Sequence, residues 1–151
     1  MNEDVLDELA GALFRTFARF EYALKAAGFH CGDGEAKADW TAFAKSIPTV
    51  FDDPQDDGVK EAVAYILAHP PKKQVVAGGL LGWAVADPGN SPRSDQALVY
   101  VRRVRNNLFH GGKFNGRWIE PQRSEELLRH SLAVLRACLE ASAKVRAAYD
   151  G

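Results

Sequence analysis

The spacing of apolar residues near the amino terminus is the feature that most constrains how this chain can fold. Between positions 6 and 24, leucine and phenylalanine recur at intervals of three and four residues. Residues at this spacing share one face of an α-helix, so the segment predicts a long amphipathic helix over residues 4–27 that must pack against other elements. Gly28 follows and ends the helix. The apolar face consists of Leu6, Leu9, Leu13, Phe17, Phe20 and Leu24.

Similar patterns predict further helices along the chain, joined by polar loops. Together they favour an all-α fold, a bundle of about five helices in which the first helix, the helix that ends near residue 110 and the last helix supply most of the core. The predicted helices cover residues 4–27, 39–46 with Asp39 as the cap, 57–69, 94–110 with Ser94 or Asp95 as the cap, and 124–149.

The size and composition of the chain indicate one ordinary folded domain over residues 1–151. Hydrophobic residues make up 46% and charged residues 26%, which is typical of a globular protein. No apolar run approaches the roughly 20 residues that span a bilayer, and the first residues are acidic rather than leader-like. We therefore expect a cytoplasmic protein with no membrane partner.

The cysteines and histidines predict no metal site. Cys31 and Cys138 form no C-x-x-C pair, so we expect reduced thiols, and His30 beside Cys31 supplies too few ligands for a metal. His130 faces away from the apolar side of the last helix and is predicted to lie in solvent. We expect neither a metal nor a cofactor.

The charge pattern allows a local basic surface. The net charge is −1, so the whole protein does not attract nucleic acid as a strongly basic chain would. Basic residues nevertheless concentrate between positions 72 and 123, whereas acidic residues concentrate in the first turn and in residues 52–57. A basic groove on a nearly neutral protein is compatible with this pattern.

Two segments resist a helical interpretation. Residues 70–92 contain Lys72 and Lys73, which could contact phosphates, followed by apolar residues interrupted by glycines. The alternative, which we favour, is an irregular lid over the core with Trp83 buried. Residues 114–118, FNGRW, have the composition of a tight turn and predict a small hairpin.

Residues 101–113, VRRVRNNLFHGGK, carry the candidate site. The Gly111-Gly112 pair is typical of a helix end and places His110 in the last helical turn. At about 100° per residue, Asn106 and Arg103 share the side of His110, opposite the apolar face. That apolar face consists of Ala97, Val101, Val104 and Leu108.

Arg105 lies at the margin of the apolar face, about 140° from His110 around the helix. Within one chain it reaches the imidazole only by bending its long side chain around the helix end. If two copies paired these helices antiparallel about a twofold axis, each arginine could meet the histidine of the other chain. The alternative is that a basic last turn before Gly-Gly simply satisfies the last helical carbonyls.

The segment Arg105 to His110, RNNLFH, resembles the signature of the HEPN superfamily. That signature is an arginine, usually a small polar residue, and a histidine after four to six intervening positions, late in a helix. Arg103 also satisfies the spacing and is the second choice, because Val104 follows it. The stretches RFEYALKAAGF and DW followed by FA resemble what such proteins carry before the motif. The resemblance implies an all-helical homodimer and, in many members, a ribonuclease that needs no metal.

The resemblance also implies roles for the residues of the motif. The ribose 2′-hydroxyl would attack the adjacent phosphate, leaving a cyclic phosphate and a 5′-hydroxyl. His110 would transfer protons, Arg105 would hold the scissile phosphate, and Asn106 would orient the imidazole or the ribose. Glu21 is either an acid that orients these groups or an ordinary surface charge. Additional RNA contacts are expected from Arg102, Arg103, Lys113, Lys72 and Lys73.

We therefore predict a metal-independent endoribonuclease of the toxin or antiphage-defence type, acting on RNA as a homodimer and held inactive by a partner such as an antitoxin. The alternative is a noncatalytic HEPN subunit that partners a nucleotidyltransferase or binds nucleotide or RNA. A helical dimer without any active site is the third interpretation.

Overall fold

The computed structural model describes residues 3–85, 89–109, 113–114, 117–118 and 121–151. Within these ranges the chain is mostly helical, with seven α-helices and two antiparallel hairpins. The helices are α1 Glu3–Ala26, α2 Trp40–Ser46, α3 Thr49–Asp52, α4 Asp57–Ala68, α5 Arg93–Phe109, α6 Pro121–Ala141 and α7 Ala143–Asp150. The strands are β1 Lys73–Ala77, β2 Leu80–Ala84, β3 Lys113–Phe114 and β4 Arg117–Trp118.

The first two helices form as their sequences predict. The apolar face of α1 is buried except for Leu9, which is half-buried. The side chain of Asp39 accepts a hydrogen bond from the backbone N–H of Ala42 at 3.0 Å, so this residue is the cap of α2. Aromatic rings of the two helices stack where they cross, with Trp40 5.2 Å from Phe17 and 5.4 Å from Phe20 between ring centroids.

Helix α5 lies among the other helices and contacts α1, α2, α3, α4 and α6. It begins at Arg93, because the N–H of Gln96 bonds to the carbonyl of Pro92 at 3.0 Å. Ser94 and Asp95 therefore lie inside the first turn, and the prediction that one of them caps the helix is wrong. The buried face of α5 consists of Ala97, Leu98, Tyr100, Val101 and Val104.

Residues 73–84 form a regular hairpin, so the prediction of an irregular lid with a buried tryptophan is wrong. Strand β1 pairs antiparallel with β2, and Gly78 and Gly79 at the turn have φ of 57° and 76°. Two consecutive positive φ values are typical of the tight turns that suit the twist of a hairpin, and glycine adopts them without strain. Trp83 is 37% exposed.

The carboxyl-terminal helical segment is divided in two, contrary to the single helix predicted over residues 124–149. Helix α6 begins at Pro121, a residue that suits the first helical position. Ser142 adopts an extended conformation, with φ −125° and ψ 103°, and separates α6 from α7. The small hairpin predicted around residues 114–118 is confirmed by the pairing of β3 with β4, which begins one residue earlier.

A stack of three rings joins α4 to α6. The ring of Tyr65 lies 4.1 Å from that of His69 and 4.5 Å from that of His130. His130 Nε2 is 3.2 Å from an oxygen of Glu126, and its side chain is largely covered. The prediction of a solvated His130 is wrong, because α4 packs against this side of α6. Burial and the neighbouring Glu126 raise the pKa of Tyr65 above its ordinary value, against a smaller opposing effect of Arg123.

Both cysteines are free thiols, Cys31 exposed and Cys138 buried. Of the helices that the structure describes, none combines the length and the apolar character needed to cross a membrane.

We expect Cys138→Ala to weaken the loss of stability at alkaline pH. Burial raises the pKa of the Cys138 thiol far above its usual range, so the folded chain keeps a proton that the unfolded chain releases above about pH 8.5. The free energy of unfolding should then fall by up to about 1.4 kcal/mol per pH unit beyond that point. Urea unfolding at pH 7 and pH 10 measures it.

The exposed thiol provides the control for this measurement. Between pH 7 and pH 10, the free energy of unfolding of Cys31→Ala should fall as much as that of the wild type. That of Cys138→Ala should fall less, even if this variant is less stable than the wild type at both pH values. Equal alkaline losses in all three proteins would contradict the assignment to Cys138.

Candidate functional site

Arg105 lies between α5 and α1 with its side chain 30% exposed. Its guanidinium carbon is 4.6 Å from the centre of the Phe17 ring, and its Nη2 is 3.9 Å from an oxygen of Glu21. A cation over an aromatic face and beside a carboxylate is stabilised by both. The fold therefore holds the guanidinium in one position while leaving part of it accessible.

Glu21 connects this guanidinium to the core. Its second oxygen accepts a hydrogen bond from the indole nitrogen of Trp40 at 2.9 Å. Trp40 is buried, and a buried indole N–H needs an acceptor. The structure thus brings Glu21 and Arg105 together, as expected of an acid that orients the arginine, and it adds Trp40, which the sequence analysis did not assign to the site.

Arg102 joins the same group from one turn earlier in α5. Its guanidinium carbon lies 5.8 Å from the Trp40 ring centre, and its Nε donates to the carbonyl of Leu98 at 3.3 Å. The pKa of Arg102 lies below its ordinary value. Burial is the largest cause and Arg105 adds to it, whereas Asp95 and Glu21 act in the opposite direction. We call Phe17, Glu21, Trp40, Arg102 and Arg105 the arginine cluster.

Asn106 and Arg103 lie outside the arginine cluster. Asn106 is exposed, as predicted for the outward side of α5. The guanidinium carbon of Arg103 lies 5.3 Å from the ring centre of Tyr100, three residues earlier. Since Arg103 and Arg105 are about 200° apart around the helix, they serve different sides of it. Within one chain, Arg105 therefore does not lie on the side of α5 that carries Asn106 and Arg103.

Two hydrogen bonds fix the segment that leads from α4 into the hairpin. Asn107 Nδ2 donates to the carbonyl of Lys72 at 2.8 Å, and Arg123 Nη2 donates to the carbonyl of Pro70 at 2.8 Å. The predicted RNA contacts Lys72 and Lys73 are thereby held near the carboxyl-terminal part of α5. Asn107, inside the motif, has a positioning role that its sequence pattern did not reveal.

A shallow apolar pocket of about 200 Å³ opens beside Arg105. Its lining combines the side chain of Arg105 with apolar side chains of α1 and α5, of which Phe14 is more than half exposed. The lining residues are Ala10, Phe14, Arg105 and Leu108. An apolar pocket with one cation at its edge suits a group that is flat or apolar on one side and anionic on the other.

His110, the predicted proton-transfer residue, lies outside the described residues, and for Lys113 only the backbone, in β3, is described. Across the part of the chain that is described, no three His, Cys, Asp or Glu side chains are grouped so that they could hold a metal ion. Comparisons of the chain with family profiles, with curated proteins and with solved structures find no match.

We expect Glu21→Ala to lower the free energy of unfolding by about 1–3 kcal/mol, because it leaves the buried indole N–H of Trp40 without its acceptor. Glu21→Gln keeps a carbonyl oxygen at this place and should lose less. Urea unfolding of the three proteins measures the difference.

The matched control is Glu125→Ala. Glu125 pairs with Arg129 at 3.2 Å on the exposed side of α6, and a surface pair of this kind contributes only about 0.3–0.5 kcal/mol. If Glu21→Ala and Glu125→Ala unfold at the same urea concentration, Glu21 does not hold the Trp40 indole in solution.

Proposed function

We propose that this protein is a metal-independent endoribonuclease in which Arg105 binds the scissile phosphate and His110 transfers the proton. The observation that carries the proposal is the Arg105 guanidinium, held by Phe17 and Glu21 at 4.6 and 3.9 Å and still 30% exposed. A permanently charged, planar group that is already positioned can stabilise negative charge on phosphorus without reorganising. The resemblance of RNNLFH to the HEPN signature supplies the reaction class.

The proposed chemistry uses the RNA as its own nucleophile. The ribose 2′-hydroxyl loses its proton to a base and attacks the adjacent phosphorus, and the bond to the 5′-oxygen breaks as that oxygen takes up a proton. The products are a cyclic phosphate and a 5′-hydroxyl. A histidine suits both proton transfers near neutral pH, and Arg105 offsets the charge that grows on the phosphoryl oxygens.

The proposed site is shared between two copies of the chain. In one chain Arg105 is turned toward α1, whereas Asn106 is exposed on another side of α5. Pairing of two α5 helices about a twofold axis would bring Arg105 of one copy to the outward face of the other. We infer a homodimer that acts on cellular RNA as a toxin or in antiphage defence, under the control of an antitoxin or a nucleotidyltransferase.

The second candidate is a noncatalytic subunit that binds nucleotide or RNA beside such a partner. The observation that favours it is the same separation of Arg105 from Asn106, which leaves a single chain with a cation next to an apolar pocket and away from the outward side of α5. This candidate predicts RNA or nucleotide binding without cleavage.

We expect Arg105→Ala to reduce RNA cleavage in EDTA-containing buffer by about 10²–10³-fold, because a preorganised donor to the developing charge is lost. His110→Ala should cost about 10²–10⁴-fold through the proton transfer. Gel analysis of RNA fragments measures the rate, and mass spectrometry identifies the cyclic phosphate.

Arg129→Ala, which removes an exposed guanidinium from α6, is the control and should cleave as the wild type does. Wild-type rates in the Arg105 and His110 variants would refute the catalytic proposal. Binding of RNA by the wild type without any cleavage would favour the noncatalytic candidate.

Mixing the two inactive variants tests the shared site. In a twofold dimer, an Arg105→Ala chain paired with a His110→Ala chain retains one site with both wild-type residues, so random exchange should restore about a quarter of the wild-type activity. The variants are mixed under subunit exchange and assayed for cleavage. Mixtures that stay as inactive as the separate proteins would indicate that each site lies within one chain.

A further inference from the structure

The hairpin formed by β1 and β2 exposes much of the apolar surface of this protein. Among the described residues, seven large hydrophobic side chains are exposed, and five of them lie within residues 76–85. In the described part of the chain the sheet has only these two strands. An isolated two-stranded hairpin is marginally stable in water, so this concentration of exposed apolar residues indicates a surface that is covered in use.

The strand register places three of the exposed side chains, those of Val76, Leu81 and Trp83, on one face. Residues directly opposite in an antiparallel pair point to the same side of the sheet. Val76 pairs with Leu81, and Gln74 pairs with Trp83. We call these four residues the hairpin face. Val76 and Leu81 are each 69% exposed.

The body of the protein covers the root of the hairpin, where Gln74 on the hairpin face and Val75 on the opposite side are both half-buried. Strand β1 contacts α5, and Val75, whose side chain alternates with those of the hairpin face, is half-buried. Leu80 belongs to this opposite side but lies next to the Gly-Gly turn, where it is 76% exposed. Exposure therefore increases toward the turn on both sides of the hairpin, and the hairpin face is the side on which two large exposed apolar residues, Val76 and Leu81, lie directly opposite each other.

We propose that the hairpin face binds the hairpin face of a second copy of this chain, so that two hairpins stack as a small sandwich. The face contains no charged residue, and its one polar residue is the neutral Gln74. A twofold interface must be complementary to itself, and an uncharged apolar face meets this requirement because like charges do not oppose each other.

The exposed apolar area of the hairpin can be compared with the area that a stable dimer interface buries. Large apolar side chains bury on the order of 100–200 Å² each, so at their exposures Val76, Leu81, Trp83 and the adjoining Val85 offer about 400 Å² per copy. Two copies would bury about 800 Å² of this apolar surface, and since about 60% of a typical interface is apolar, a polar rim of about 500 Å² would complete it. Specific interfaces bury about 1,200–2,000 Å².

The root of the hairpin lies beside the motif of its own chain. The start of β1 is tied to α5 through the hydrogen bond from Asn107 to the carbonyl of Lys72. The proposal rests on exposure and strand register and does not depend on the ribonuclease activity.

The test compares the mass in solution of the wild type, of the double variant Val76→Thr/Leu81→Thr and of the control Leu80→Thr. Threonine is β-branched and therefore suits a strand, while it reduces the apolar contact. By light scattering, the double variant should have half the mass of the wild type, and Leu80→Thr should have the full mass. The half mass is that of a monomer if the hairpin interface is the sole one and that of a dimer if the α5 helices also pair. A monomeric wild type, or a double variant with unchanged mass, overturns the proposal.

Crosslinking tests the contact without removing the apolar face. In a Cys31→Ser background, Val76→Cys should give a covalent dimer with a bismaleimide spanning about 10 Å, the distance between stacked sheets. Leu80→Cys should give little. Equal yields at both positions overturn the proposal.

Two further measurements identify other occupants. A double variant with unchanged mass that loses affinity for a single-stranded RNA oligonucleotide would assign the face to RNA. One that loses binding to vesicles containing anionic lipid would assign it to a membrane surface. Either result overturns the proposal. Because Arg105→Ala should leave the mass unchanged, failure of this interface is distinguishable from failure of the ribonuclease proposal.

Discussion

The hydrogen bond between the indole of Trp40 and the carboxylate of Glu21 connects the core of this protein to its candidate site. Trp40 stacks against rings of α1 within the helical core, and its one polar atom has to be satisfied there. An acidic side chain used for this purpose keeps its charge near the surface, where it attracts the guanidinium of Arg105. The packing of aromatic rings therefore determines where a cation is held on α5.

Arg105 and Asn106, which are neighbours in the motif, lie on different sides of α5. Helical residues next to each other in sequence are about 100° apart, so a motif that uses both cannot collect them at one point of a single helix face. Arg105 packs on α1, and Asn106 is exposed. The residues of such a motif can meet only if a long side chain bends around the helix or if a second molecule supplies one of them.

Much of the helical architecture could be predicted from the sequence, and the failures have physical reasons. Helix α1 and the cap at Asp39 follow from local patterns that their surroundings reinforce. The hairpin of residues 73–84 was missed because its exposed apolar residues resemble a buried segment when burial is inferred from hydrophobicity. The break at Ser142 has no proline or glycine to announce it. The solvated position predicted for His130 ignored the packing of Tyr65 from another helix.

The candidate site was predictable only in part. The helical wheel correctly turned Asn106 outward and put Arg105 at the margin of the apolar face. The partners of Arg105 come from α1, more than eighty residues earlier, and Trp40 enters from α2. Contacts between such distant residues depend on how helices pack, which no spacing within one helix encodes. The proposed roles in catalysis, including that of His110, stay predictions.

The two hydrogen bonds that hold residues 70–72 are made to backbone carbonyls. Asn107 and Arg123 therefore hold residues 70–72 through the backbone, whichever side chains these residues carry. As related sequences diverge, the hairpin that follows could change its length, its charge and its apolar residues while its root stays attached to α5 and α6. The attachment of the hairpin to the helices therefore does not depend on the side chains at its turn, so new binding preferences could evolve on the hairpin without disturbing the helical core.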